Sequence, residues 1–148
     1  MKELFLKTPD GFNLSVKIFE PQNSAGKLLL INSATGVKQQ VYFSFAKYMS
    51  QNGFTVITYD YSGIGESKPK KMKNFQSSMR TWGTRDFKTL TEFIKKEYPQ
   101  EEKFCLGHSV GALILGMNAD SAIFRKFVFV ATQDAYLGNL KFNIAVTA

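Results

Sequence analysis

At 148 residues with 44% hydrophobic side chains, the chain is long enough to bury one core. No run reaches the ~18–20 uncharged apolar residues of a membrane span, and the charged, alternating stretch Met1–Lys7 does not resemble a secretory signal. A lone cysteine, Cys105, excludes a disulfide framework or a multi-cysteine metal site within the chain and points to a reducing cytoplasm.

The net charge of +7 owes much to Lys68-Pro69-Lys70-Lys71-Met72-Lys73. With no aromatic platform among these lysines and no nucleic-acid-binding motif, the run reads as a solvated loop rather than a site for nucleic acid or anionic lipid.

In chain order, Leu4–Lys7 and Asn13–Glu20 alternate with period two around the turn Thr8-Pro9-Asp10-Gly11, which predicts an antiparallel hairpin. After the polar linker Pro21–Gly26, Lys27–Ile31 is a continuous apolar run of the kind found in strands buried on both faces. Gln40–Gln51 has helical spacing, with Val41, Phe45, Tyr48 and Met49 as its expected buried face, and Asn52-Gly53 closes it. Phe54–Tyr59 is the next buried strand. Gly83–Tyr98 reads as a second amphipathic helix, with Phe87, Leu90, Phe93 and Ile94 inward and Pro99 as its stop. Lys103–Leu106 is a short strand, Val110–Met117 a helix and Arg125–Val130 a last strand. The alternation predicts an α/β fold: a mostly parallel sheet with flanking helices and an antiparallel hairpin at the N-terminus. The tail Ala135–Ala148 is moderately apolar and has no stop signal.

Between the strand Lys103–Leu106 and the helix Val110–Met117 lies Gly107-His108-Ser109-Val110-Gly111. A Gly-x-Ser-x-Gly run is common by chance; its weight here comes from the strand–turn–helix context. The sharp turn exposes the serine oxygen at the sheet edge, and glycines are required where close neighbours leave no room for a Cβ. Two more loops fall at the same edge: Asn32-Ser33-Ala34-Thr35-Gly36-Val37, whose small residues let a backbone N–H approach a substrate oxygen, and Asp60-Tyr61-Ser62-Gly63-Ile64-Gly65-Glu66-Ser67, whose glycines permit a tight turn.

On these three motifs the chain resembles the α/β-hydrolase superfamily, nearest to its serine-aminopeptidase-like and lysophospholipase-like branch. The resemblance runs from the hairpin to about Val130 and is specific for fold more than for substrate. It implies Ser109 as the nucleophile, and the backbone N–H groups of Val110 and of Ala34 (or Ser33) as an oxyanion hole. The implied reaction is acyl transfer to water from a small-molecule ester or related acyl substrate. No metal or organic cofactor is implied.

The pattern breaks at the base. A serine hydroxyl needs a histidine held by a carboxylate, and in this superfamily the order is serine, acid, histidine. The chain has one histidine, His108, which precedes the serine and whose place on the elbow turns it away from the Ser109 oxygen. Asp134 follows the last strand and is the one candidate acid, although its place in a loop reads first as a solvated aspartate. The resemblance makes a whole domain roughly twice this length, so the chain is expected to be a single domain, 1–148, forming the N-terminal portion of a truncated α/β-hydrolase fold. A sheet missing its later strands is expected to self-associate by edge pairing or segment exchange.

Cys105 is expected to be a buried small hydrophobe, and Asp86 a surface or capping charge. Trp82, Tyr42, Phe43 and Phe75 read either as core or as an acyl pocket. Two alternatives to a hydrolase stand. One is a non-catalytic module that binds an acyl compound or a partner through the same cleft. The other is a nucleotide-binding domain suggested by Gly63-Ile64-Gly65, which lacks the Gly-x-Gly-x-x-Gly spacing after the first strand and a Walker lysine.

Overall fold

The computed structural model describes residues 1–69 and 75–132. Asp134 and the tail Ala135–Ala148 lie outside the described residues, as do Lys70–Lys73 of the basic run.

Strands β1 (Lys2–Lys7) and β2 (Asn13–Phe19) form the expected antiparallel hairpin, with Leu4 opposite Val16 and Leu6 opposite Leu14. Its turn is closed by Thr8 N–H to the Phe12 carbonyl (2.7 Å) and Gly11 N–H to the Thr8 carbonyl (2.8 Å). Four further strands follow: β3 (Lys27–Asn32), β4 (Phe54–Tyr59), β5 (Glu102–His108) and β6 (Lys126–Val130). They complete a six-stranded sheet in the order β1-β2-β4-β3-β5-β6. Pairing is parallel from β4 through β6 and antiparallel on the hairpin side. Parallel neighbours need crossovers, and helices supply them.

The continuous apolar runs behave as a two-sided burial requires. In β3, Leu28 and Leu30 enter the core on one face, beneath Phe87, Leu90 and Ile94, whereas Leu29 and Ile31 enter the core on the other, beneath Tyr42 and Ala46. Burying one such side chain stabilises the fold by roughly 1.5–3 kcal/mol.

Helix α1 (Phe43–Gln51) follows a 3-10 turn over Gln39–Tyr42. Its buried face differs from the expected one: Val41 (70%), Phe45 (41%) and Tyr48 (60%) are exposed. The inward stripe is Tyr42, Ala46 and the half-buried Met49, one residue out of register with the expected stripe. Ala46 is small enough to let the helix lie on the sheet, and the Tyr42 hydroxyl is anchored beneath it. The apolar positions alone could not separate two stripes that both repeat at helical spacing.

The second helical stretch starts earlier than expected. Ser78 caps α2 (Met79–Thr81) by accepting from Thr81 N–H, a π turn covers Trp82–Asp86, and α3 (Phe87–Glu97) continues it. The wider turn directs both Trp82 and Asp86 inward. Helix α4 (Val110–Leu115) packs behind β5.

Candidate active site

Where β5 runs into α4, Ser109 adopts φ 52° and ψ −117°. A non-glycine residue holds such a conformation only when its surroundings over-determine it. Here they do. Ser109 N–H donates to the Val130 carbonyl (2.9 Å), extending the β5–β6 ladder by one rung, and the Ser109 carbonyl accepts from Ala112 N–H (3.0 Å). The flanking glycines are needed for space. A Cβ on Gly107 would lie 2.6 Å from the backbone of Ala112, and one on Gly111 would collide with the Asn32 carbonyl. Asn32 secures that approach: its Nδ2 donates to the Gly111 carbonyl (3.2 Å), and its Oδ1 accepts from the Tyr59 hydroxyl (2.9 Å).

The loop after β3 lies against this elbow. Ser33 and Ala34 are buried, and the Ser33 carbonyl accepts from the Tyr61 hydroxyl (3.1 Å). Ala34 N–H donates to the Tyr42 phenol oxygen (3.0 Å), which also shares a hydrogen bond with His108 Nδ1 (2.9 Å). Burial pushes the Tyr42 phenol above its ordinary range, opposed by the Ala34 N–H and the Ser33 hydroxyl. As the first residue of α4, Val110 has an N–H with no acceptor four residues back in its own helix. His108 therefore faces Tyr42, with the two rings edge to face at 6.1 Å.

The loop after β4 is held by its own first and last motif residues. Asp60 is fully buried. Its carboxylate accepts from Gln39 N–H (2.8 Å), Gln39 Nε2 (3.2 Å) and Glu66 N–H (2.9 Å). Ser67 Oγ donates to the Asp60 carbonyl and accepts from Ser15 N–H, both at 2.8 Å. Gln39 is the residue that sequence reasoning missed. It also accepts from the Thr58 hydroxyl (2.9 Å) and donates to Ser15 Oγ (3.0 Å), so one side chain ties the loop before α1 to β2, β4 and the Asp60 loop. Nothing in its neighbourhood set it apart from Gln40 beside it.

Asp86 is a correction. It is fully buried, not a surface charge. The π turn carries it under the loop after β4, where it accepts from Ser62 N–H (2.8 Å) and pairs with Arg85 (2.8 Å), which reaches on to Asp10 (2.7 Å). Burial pushes its carboxyl up, and Ser62 and Arg85 oppose that shift.

The aromatics are mainly packing. Trp82 stacks on Tyr61 at 4.8 Å and donates its indole N–H to the Ser62 carbonyl (3.0 Å); Phe43 meets Phe19 edge-on, and Phe75 stacks on Phe12. Cys105 is buried and free, its thiol pushed well up by desolvation, which leaves it inert as a nucleophile. Among the described residues no group of three His, Cys, Asp or Glu side chains is placed to hold a metal, and no helix is long and apolar enough to cross a membrane. The structure thus brings Ser109, Val110 and Ala34 to one sheet edge, and Asp134 lies outside the described residues.

Known proteins share this fold. The carboxyl esterase of Bacillus coagulans, solved with glycerol, superposes with a TM-score of 0.73 at 20% identity over 86% of this chain and 43% of that one. An esterase of Pyrococcus furiosus gives 0.74 at 17% identity, over 93% and 52%. At such identities the likeness is one of fold. Monoglyceride lipase of Rattus norvegicus is 26% identical over 111 residues, 74% of this chain and 35% of that protein. The chain thus spans about a third of the length of the curated relatives it matches. The family model for serine aminopeptidase, S33, matches residues 24–132, well over half of the chain. A match of that extent, on a sheet built this way, makes the chain a member of the serine aminopeptidase S33 family within the α/β-hydrolase superfamily.

Proposed function

We propose that this chain carries the nucleophilic half of a serine hydrolase acting on a carboxylic ester or related small acyl substrate. Ser109 attacks the acyl carbon, and the backbone N–H groups of Val110 and Ala34 receive the oxyanion. The observation that carries this reading is the conformation of Ser109, a non-glycine residue held at φ 52° between β5 and α4 by packing that excludes a Cβ on either glycine. The resemblance to monoglyceride lipase and to esterases favours an ester over an amide.

We do not assign the general base to His108, which adjoins Ser109 on the elbow and is turned to Tyr42 through its Nδ1. In this reading the base and its carboxylate belong to polypeptide beyond the described residues, with Asp134 as the candidate acid, or to a second molecule. Strand β6 supports such a completion: Phe127, Val128, Phe129 and Val130 are 40–57% exposed, as expected of a strand that pairs and packs further. Association of copies through β6 follows, in a cytoplasmic setting suited to the lone buried thiol.

A second reading, a non-catalytic module binding an acyl compound or a partner through the same cleft, is favoured by the engagement of the sole histidine with Tyr42. Treatment with a fluorophosphonate, followed by mapping of the adduct by mass spectrometry, separates the two. The hydrolase reading expects the adduct on Ser109 and none in Ser109→Ala. No adduct, or one that survives the substitution, supports the module.

A further inference from the structure

Ala34 N–H already has an acceptor. The Tyr42 oxygen lies 3.0 Å from it and takes the hydrogen bond that an acyl oxygen would need. The phenol is fixed from its other side by His108 Nδ1 at 2.9 Å, so it keeps a hydrogen bond if it lets Ala34 go. A third group lies nearby. The Ser33 hydroxyl is near enough to lower the phenol's pKa, yet it is buried without a hydrogen bond of ordinary geometry. A buried hydroxyl with no partner is a donor held in reserve, because leaving it unmade is unfavourable.

We propose that the Tyr42 hydroxyl is a built-in stand-in for the substrate oxygen, occupying Ala34 N–H at rest and yielding it to the oxyanion. This rests on the reading of Ala34 N–H as an oxyanion donor. The physical consequence is discrimination. A neutral ester carbonyl competes with a neutral phenol on nearly even terms, so ground-state binding is weakened. A charged oxyanion accepts roughly twice as strongly and displaces the phenol readily. Tyr42 therefore lowers affinity for the substrate more than for the transition state, which is the differential that catalysis uses. The His108 bond is what makes the exchange reversible: the phenol swings on its tether and does not leave the site. His108 is thus given a role, as the positioning residue for Tyr42.

The test uses the 148-residue chain, labelled with 15N, and a methyl alkyl ketone such as 2-decanone, whose carbonyl can enter the site without any base. In the wild type, the Ala34 amide resonance is expected to move on saturation. Tyr42→Phe keeps the ring in the core and frees the N–H, so the ketone is expected to bind about fivefold tighter, the worth of one net hydrogen bond. His108→Ala, which loosens the phenol, is expected to act in the same direction by less. Equal or weaker binding to Tyr42→Phe, an unmoved Ala34 amide, or no binding to either protein would overturn the proposal. A role in packing alone would leave ketone affinity unchanged or reduced. The measurement is independent of nucleophilic attack. Ketone binding that behaves as expected without a fluorophosphonate adduct on Ser109 would break the hydrolase reading alone, and the adduct without the Tyr42 effect would break only this one.

Discussion

Strands β3 and β6 carry sequence of the same kind, Leu28-Leu29-Leu30-Ile31 and Phe127-Val128-Phe129-Val130, yet every residue of the first run is buried and every residue of the second is exposed. β3 lies between β4 and β5, with helices over both faces. Among the described residues, β6 has a neighbour only at β5. Its side chains stack on one another instead, Phe127 on Phe129 at 6.0 Å. Apolar sequence states a demand for burial, and the rest of the polypeptide decides whether the demand is met. The same contrast separates the two halves of the candidate site. The loop after β3 and the elbow that carries Ser109, the proposed nucleophile, are fastened by Asn32, Asp60 and Gln39. In the proposed hydrolase, the base and its acid would arrive beside β6.

This contrast can be broken by substitution. The largest effect is expected at Asp60→Ala, which leaves the Gln39 and Glu66 N–H groups without their acceptor and opens a gap under the loop after β4; it should lower stability by about 3–5 kcal/mol in denaturant unfolding. Next comes a matched pair. Leu30→Ala in β3 should lose about 2–4 kcal/mol, because it removes a fully buried side chain and leaves a cavity. Val128→Ala in β6 should lose under about 1 kcal/mol. If the two losses are equal, β6 is covered in solution, and Val128→Lys should then shift the mass in sedimentation or light scattering toward a monomer.

The smallest effect is with pH. The Thr8 hydroxyl, chiefly, and Arg85 hold the Asp10 carboxyl below its ordinary range; Lys17 does the same for Glu66 and Lys95 for Asp120. Each such group stabilises the fold above the ordinary carboxylate pKa of about 4. That contribution is lost as pH falls through the lowered values. Asp86 runs the other way. Its carboxyl is raised, so the folded state gains relative stability as pH falls through its value. Melting temperatures from pH 7 to 2 should therefore drop mainly below pH 4, and the total drop should be larger in Asp86→Asn, which loses the gain that Asp86 supplies above pH 4.

How legible all this was in the sequence depended on the kind of signal. The six strands and the elbow were readable because two-sided burial and Gly-x-Ser-x-Gly each have one structural solution in their context. The face of α1 was not, because Val41-Phe45-Tyr48 and Tyr42-Ala46-Met49 both repeat at helical spacing, and only the sheet beneath selects between them. Asp86 was misplaced because a π turn, which leaves no composition signal, rotates it inward. Gln39 and the Tyr42–His108 contact join residues far apart in the chain, and a polar residue carries no mark of a distant partner.

The proposed function makes Ser109 a formed nucleophile whose base and carboxylate come from outside the described residues. Chemical rescue tests it most directly: fluorophosphonate labelling of Ser109 at pH 7 with increasing imidazole, which supplies the missing base from solution. Labelling is expected to be slow without imidazole, to speed up with the concentration of neutral imidazole, and to leave no adduct in Ser109→Ala. A rate indifferent to imidazole, or an adduct that persists in Ser109→Ala, would contradict it.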